Sequence, residues 1–338
     1  MGCSAGRRER FGHNLFLPAF LCVALVFTAA CERRAQDNGT PARTDTDHPA
    51  ADTDTVAGSV AVSEKPSVLD LSSEETVYLE ALRDTEGLKA AIGTATTVFE
   101  PSDDGGEPDG FHYHLVRRMA EDLGIRVDVR PVRFMQFFSK DGVVPERAKT
   151  DPDFRYVPDL LGEVDLYVGT LSILPWRDAF LRFIPLYHTR LVYVYYEGEE
   201  ITEPHDLSGR TVALLPNTTY ESWLKERAEE LHISFDTITV GTGDEAIAEI
   251  AAGRADVAVS DADIAIRQIR DYPSLTVAPA GASADLLCWA VAETSGTLAA
   301  IIEKYITAAK ADGTFARLWE EYFEFTFYEY LGLVGTGS

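Results

Sequence analysis

Between Thr211 and Arg270 the chain alternates short apolar runs with helical patterns three times: Thr211–Leu215 then Thr219–His232, Thr237–Val240 then Asp244–Ala252, Asp256–Ser260 then Asp263–Arg270. This leaves few folds open, because strands separated by helix-length crossovers lie parallel in a sheet that those helices cover. The rhythm also occurs earlier. Leu88–Gly93 reads as a strand, and Gly110–Gly124 as a helix with Leu115, Val116, Met119, Ala120 and Leu123 on one face and Gly124 as its left-handed cap. Ile125–Arg130 and Val164–Val168 read as further strands, whereas residues 138–157 lack periodicity and read as an inserted loop. Leu191–Tyr196 is a strand, and the chain closes with a strand at Leu286–Val291 and helices at Thr297–Ala311 and Phe315–Phe323. Gly162-Glu-Val-Asp165 and Gly253-Arg-Ala-Asp256 repeat one pattern, a glycine-ended helix feeding a strand that opens on aspartate. The expectation is an α/β protein of two similarly built lobes.

The first 31 residues read as a processing segment. Arg7, Arg8 and Arg10 precede an apolar run, Leu15–Ala30, that is short for a membrane span and ends on small residues before Cys31. This resembles a bacterial lipoprotein box, in which Cys31 becomes the lipid-bearing residue. Residues 32–75 are rich in Asp, Thr, Ala and Ser and poor in large apolar groups, so they read as a disordered acidic tether. With a net charge of −25, the chain shows no basic face for nucleic acid. Cys3 and Cys22 leave with the signal, so Cys288 remains as a lone cysteine in an apolar run, read as a buried hydrophobe.

Candidate chemistry gathers at predicted strand ends, where open α/β sheets place their ligands. Gly169-Thr-Leu-Ser-Ile-Leu-Pro-Trp-Arg177 follows a strand and presents an arginine beside a proline, suited to a bidentate grip on a carboxylate, with Ser172 able to add a hydroxyl. A solvated arginine on a turn is the alternative. Thr218 and Glu221 form a capping box at a helix start that also offers free N–H groups to an anion. Asp261 either caps the following helix or aims a carboxylate at an ammonium group. His112 and His114 invite a metal reading, but no third ligand of clear spacing accompanies them. Phe99, Phe134 and Trp176 lie near predicted loop ends, with core packing as their default. Phosphate loops, nucleophile elbows and zinc-protease helices are not found.

In order along the chain, Leu88-Lys-Ala-Ala-Ile-Gly-Thr94, Asp109-Gly-Phe111, Gly162-Glu-Val-Asp165, Ser172 through Arg177, Asp206-Leu-Ser-Gly-Arg-Thr-Val-Ala213, Asn217-Thr-Thr219, Gly253-Arg-Ala-Asp256 with Asp261, and Ala311-Asp-Gly-Thr-Phe315 resemble the family 3 extracellular solute-binding proteins. The resemblance covers about residues 78–325. It implies a type II periplasmic-binding fold: two α/β lobes around a ligand cleft, joined by two crossover strands. Lobe 1 would take residues 76–193 plus 287–330, lobe 2 residues 194–286, and residues 331–338 would be a frayed tail. By the same resemblance Arg177 pairs with a ligand α-carboxylate, aided by Thr219 and the neighbouring Thr218, and Asp261 takes the α-ammonium. Thr170 and Ser172 match polar positions, Phe134 matches an aromatic wall, and the family's first aromatic falls at Val98 with Phe99 adjacent. The expected function is an exported, lipid-anchored, monomeric binding protein that delivers an amino acid to an ABC permease without a cofactor. A sensor for a membrane partner and a cyclohexadienyl dehydratase-like enzyme are the alternatives.

Overall fold

Two aspartates open two strands in the same way. Asp165 donates its backbone N–H to the Lys89 carbonyl at 2.8 Å and accepts the Lys89 N–H on its carboxylate at 2.8 Å. Asp256 does the same with Thr211, at 2.8 and 2.7 Å. Each pair zips the start of one parallel strand to its neighbour, so the repeated Gly-x-x-Asp pattern is a register device. Asp256→Ala leaves the Thr211 N–H without its charged acceptor. We expect a loss of about 1–3 kcal/mol in a denaturant titration, with unchanged ligand selectivity.

The computed structural model describes residues 69–95, 97–102, 105–281 and 284–335. They lie within one compact unit, Ala61–Ser338. The first sheet has the order β2-β1-β3-β10-β4, from β1 (Leu88–Gly93), β2 (Val127–Val132), β3 (Leu166–Ser172), β4 (Leu181–Thr189) and β10 (Asp285–Ala292). The second has the order β7-β6-β8-β5-β9, from β5 (Leu191–Tyr196), β6 (Thr211–Leu214), β7 (Asp236–Thr239), β8 (Val257–Asp261) and β9 (Leu275–Pro279). In each sheet three parallel strands carry helices, and two antiparallel strands complete the edge. The chain passes between the sheets twice, from β4 to β5 and from β9 to β10.

Helices α1 (Ser73–Arg83), α2 (Phe111–Leu123), α8 (Gly296–Ala311), α9 (Thr314–Phe323) and α10 (Phe327–Val334) accompany the first sheet. The second carries α5 (Thr219–Leu231), α6 (Gly243–Ala251) and α7 (Ala262–Gln268). In α2 the apolar stripe at Leu115, Val116, Met119, Ala120 and Leu123 is buried, and Gly124 ends the helix at φ 66°. Gly110 begins it at φ 124°, and a Cβ there would lie 2.6 Å from the Val98 carbonyl. That close approach fixes the turn that carries Val98 into the cleft.

Several expectations need correction. β3 continues through Ser172, so Gly169 to Ser172 are strand rather than loop. The strand expected at Ile125–Arg130 begins at Val127 and ends at Val132. Two strands, β4 and β9, are absent from the sequence reading. Pro185 hides β4, and the ladder accommodates it on an edge strand through a register shift that sets Cys288 opposite Pro185. The segment 138–157 holds helix α3 (Glu146–Thr150) and buries Val144 and Ala148, while the Tyr156 hydroxyl donates to the Phe138 carbonyl at 2.9 Å. The tail expected to fray from 331 is helical to Val334, because a Thr326–Glu329 capping box starts α10 and Tyr330 and Val334 are buried. The tether expected to reach residue 75 gives way at Ser72, which caps α1 in a capping box with Glu75. The signal segment, Cys31 and residues 336–338 lie outside the described residues. Cys288 is fully buried, and burial pushes its thiol up to about 12.

Candidate functional site

One cleft gathers residues from the carboxyl ends of β1, β3, β6 and β8. Gly93, Thr94, Ala95 and Val98 follow β1. Gly169, Thr170 and Ser172 come from β3, and Arg177 from the one-turn helix α4 (Pro175–Asp178). Leu215, Thr218, Thr219 and Tyr220 follow β6, Thr242 and Gly243 begin α6, and Ser260, Asp261 and Ile264 end β8 and begin α7. Phe134 and Phe137 close one side.

Arg177 is 1% exposed. Pro175 sets the helical turn that directs it inward, and its guanidinium lies on the Phe138 ring, 4.4 Å from the centroid, with Trp176 at 5.1 Å and Phe134 at 5.5 Å. Nη1 donates to the Ser172 carbonyl at 2.9 Å and Nη2 to the Asn217 carbonyl at 2.6 Å. Asn217 offers that carbonyl by taking φ 62°, a left-handed conformation that asparagine adopts more readily than most residues. Nε has no protein partner, and Arg177 belongs to no ion pair among the described residues. Burial lowers its pKa to about 9. A buried guanidinium held by carbonyl dipoles and aromatic faces, with no anion beside it among the described residues, is an anion seat.

Asp261 stands at the N-cap position of α7 but makes no capping hydrogen bond, so the capping alternative fails. Its Oδ2 accepts from the Tyr220 hydroxyl at 2.7 Å, and its own N–H donates back to that hydroxyl at 3.3 Å. Oδ1 is buried without a protein partner. Asp263 is also buried and accepts from Tyr187 at 2.9 Å and Thr189 at 3.1 Å. Burial first, and repulsion from Asp263 next, raise the Asp261 carboxyl well above its usual range. Burial likewise lifts Asp263 to about 6.

The sequence candidates Thr170, Ser172, Arg177, Thr218, Thr219, Asp261 and Phe134 therefore share one cavity. The Ser172 and Thr219 hydroxyls stand 3.5 Å apart. Thr218 accepts the Glu221 N–H at 3.4 Å, but the Glu221 carboxylate bonds the Asn217 N–H at 2.7 Å instead of closing the expected capping box. Phe99 does not line the cavity. It packs edge-on against Tyr113 at 5.5 Å, and Val98 faces the cleft in its place. The two histidines diverge. His112 Nδ1 accepts from Trp289 Nε1 at 2.9 Å and Nε2 meets Tyr187 Oη at 3.0 Å, whereas His114 pairs with Asp109 at 2.7 Å. Burial keeps His112 neutral, its pKa lowered to about 3. Tyr220 and Asp263 were missed, although Tyr220 directly follows the recognised Thr218-Thr219 pair.

Comparisons with known proteins follow this geometry. A family model described as NMT1/THI5 like matches residues 182–293. The chain is 24% identical over 219 residues to a membrane-bound lytic murein transglycosylase F of Desulfosudis oleivorans, covering 64% of this chain and 44% of that protein. The chain thus spans less than half the length of that relative. It is 28% identical over 251 residues to a probable ABC transporter arginine-binding protein, ArtJ, of Chlamydia trachomatis, covering 71% of this chain and 87% of that one. A solved solute receptor for L-cysteine from Neisseria gonorrhoeae superposes with a TM-score of 0.60 at 18% identity, covering 75% of this chain and 95% of that chain. The fold is that of the type II periplasmic binding proteins, two α/β lobes around a cleft. Within that class the chain is similar to the substrate-binding proteins of amino acid ABC transporters.

Proposed function

We propose that this chain is an exported binding protein that captures a free amino acid between its lobes. The observation that carries the reading is the pair of unmet charges in one cavity: among the described residues, a buried guanidinium has no anionic partner and a buried carboxylate oxygen has no donor. An α-amino acid supplies both partners on one carbon. Its carboxylate seats on Arg177, helped by the Ser172 and Thr219 hydroxyls and the N–H groups that begin α5. Its ammonium meets Asp261 Oδ1, with Thr170 and Thr218 in the polar wall and Phe134 as a flat side.

Delivery to an ABC permease is the role that the names of its ABC-transporter relatives suggest; action outside the cytoplasm, as a monomer with Cys31 carrying a lipid anchor, extends the proposal from the sequence. We read the chain as a binding protein rather than an enzyme. The transglycosylase activity in its relatives' names is not carried over, because the chain spans less than half of such a protein.

A thermal-shift screen of the full chain against amino acids, keto acids, polyamines and dipeptides tests the proposal. A ligand at 100 times its Kd adds about 2.7 kcal/mol, which moves the midpoint by several degrees. At least one α-amino acid is expected to do so. A screen in which no amino acid shifts the midpoint would sink the reading.

A further inference from the structure

We infer that the cleft selects an amino acid with a small, neutral side chain and rejects cationic ones, arginine included. This rests on the zwitterion reading above and adds the identity of the side chain. Among the described residues, only two charged ones line the cavity, Arg177 and Asp261, and the ligand's own carboxylate and ammonium take both. A guanidinium or ammonium side chain needs a second carboxylate in contact with it.

Of the neighbouring acids, Glu245, Asp244 and Asp263 are already engaged. Glu245 bonds Arg133 at 2.6 Å and the Gly241 N–H at 2.6 Å, and Asp244 bonds Gln268. Asp263 is held by Tyr187 and Thr189. Asp285 accepts the Leu286 N–H and keeps one buried oxygen without a partner, but it is not among the described residues that line the cavity, so its charge acts on Arg177 and Asp261 from behind the wall.

The rest of the wall is apolar or carries only hydroxyls. Ala95, Val98, Phe137, Leu215 and Ile264 supply hydrocarbon, and Thr94 and Thr242 supply neutral oxygens. The two glycines, Gly93 at the end of β1 and Gly169 within β3, do not open a deeper pocket. A Cβ on Gly93 would lie 3.3 Å from the Phe137 ring, and one on Gly169 3.5 Å from it, so that ring already fills the space the glycines leave.

The space itself is small. The cavity measures about 50 Å³, room for roughly three to five waters. A short side chain fits such a space with less rearrangement of the walls than a long one. Contacts across the cleft hold the walls at this separation: Arg133 to Glu245 at 2.6 Å, Lys149 to Glu221 at 3.7 Å, and Arg177 to the Asn217 carbonyl at 2.6 Å.

Titration calorimetry of the full chain with L-alanine, L-serine, L-cysteine, L-valine, L-arginine, L-lysine and L-glutamate tests the inference. At least one of the four small neutral amino acids is expected to bind 100-fold or more tighter than L-arginine, L-lysine and L-glutamate. Tighter binding of arginine or lysine than of every neutral ligand overturns the selectivity while leaving the zwitterion site standing. Binding of none of them, with no amino acid active in the thermal screen, overturns both.

The variant Thr94→Asp adds the missing carboxylate to the wall. It should raise L-arginine affinity at least tenfold and weaken L-alanine. Unchanged selectivity in that variant would overturn the assignment of preference to the lack of a second acid.

Discussion

Arg177→Met is expected to weaken amino acid capture by roughly 30-fold or more while leaving the ligand-free protein as stable as before, or more so. Removing one member of a buried, hydrogen-bonded charge pair costs about 2–5 kcal/mol, and each 1.4 kcal/mol is about tenfold in Kd. Affinity should therefore fall by roughly 30-fold to several thousand-fold. Stability moves the other way because the ligand-free chain buries this guanidinium with two carbonyl oxygens and aromatic faces, but no anion among the described residues, to offset its desolvation. A methionine side chain keeps the packing against Phe138 and Trp176 without the desolvated charge. The pH dependence separates this account from simple loss of packing. The pKa of Arg177 is lowered to about 9, so the cost of its charge is present below that value and fades as pH rises through it. The stability advantage of Arg177→Met should accordingly be largest near neutrality and narrow above pH 9. A variant that binds normally would remove the carboxylate from Arg177 altogether.

The residues that hold this cleft differ in how plainly the sequence announces them. Arg177 and Asp261 are legible because strand ends followed by helix starts are where this architecture exposes side chains to a cleft. The parallel strands are legible as well, since each is a short apolar or alternating run with a helix pattern beside it. β4 is not, because Pro185 breaks the strand pattern and only pairing with β10 restores it.

The failures at the site are failures of tertiary geometry. Val98 and Phe99 are adjacent, and the tight approach of Gly110 to the Val98 carbonyl decides which of them turns inward. The partners of Asp263 come from β4, more than seventy residues away along the chain, and His112 meets Trp289 across a separation of 177 residues. No local pattern encodes such contacts. They place a polar chain from Trp289 through His112 and Tyr187 to Asp263 beside the β4–β5 crossover.

Asp261→Asn should separate the ligand's two charges and reveal a proton linked to binding. The asparagine keeps an acceptor for the Tyr220 hydroxyl but cannot neutralise an ammonium. Amino acid affinity should drop by about 2–5 kcal/mol, while a ligand bearing the carboxylate alone should bind no worse. In the ligand-free protein the Asp261 carboxyl titrates well above the 3.8 of an exposed aspartate, and Asp263 titrates at about 6. A raised acid pKa means that the folded state holds protons the unfolded state has lost. Its contribution to stability is fully present below about pH 4 and disappears as pH rises through the raised values. Asp261→Asn removes one of the two buried acids, so the variant should be more stable than the parent at pH 7, with the advantage vanishing toward pH 4. Binding reads the same proton from the other side. An ammonium requires the ionised carboxylate, so seating an amino acid must expel any proton that Asp261 carries. Calorimetry near pH 6 in two buffers of different ionisation enthalpy should show proton release for the parent chain and a smaller release for Asp261→Asn. Equal release from both proteins would mean that Asp261 does not meet the ammonium.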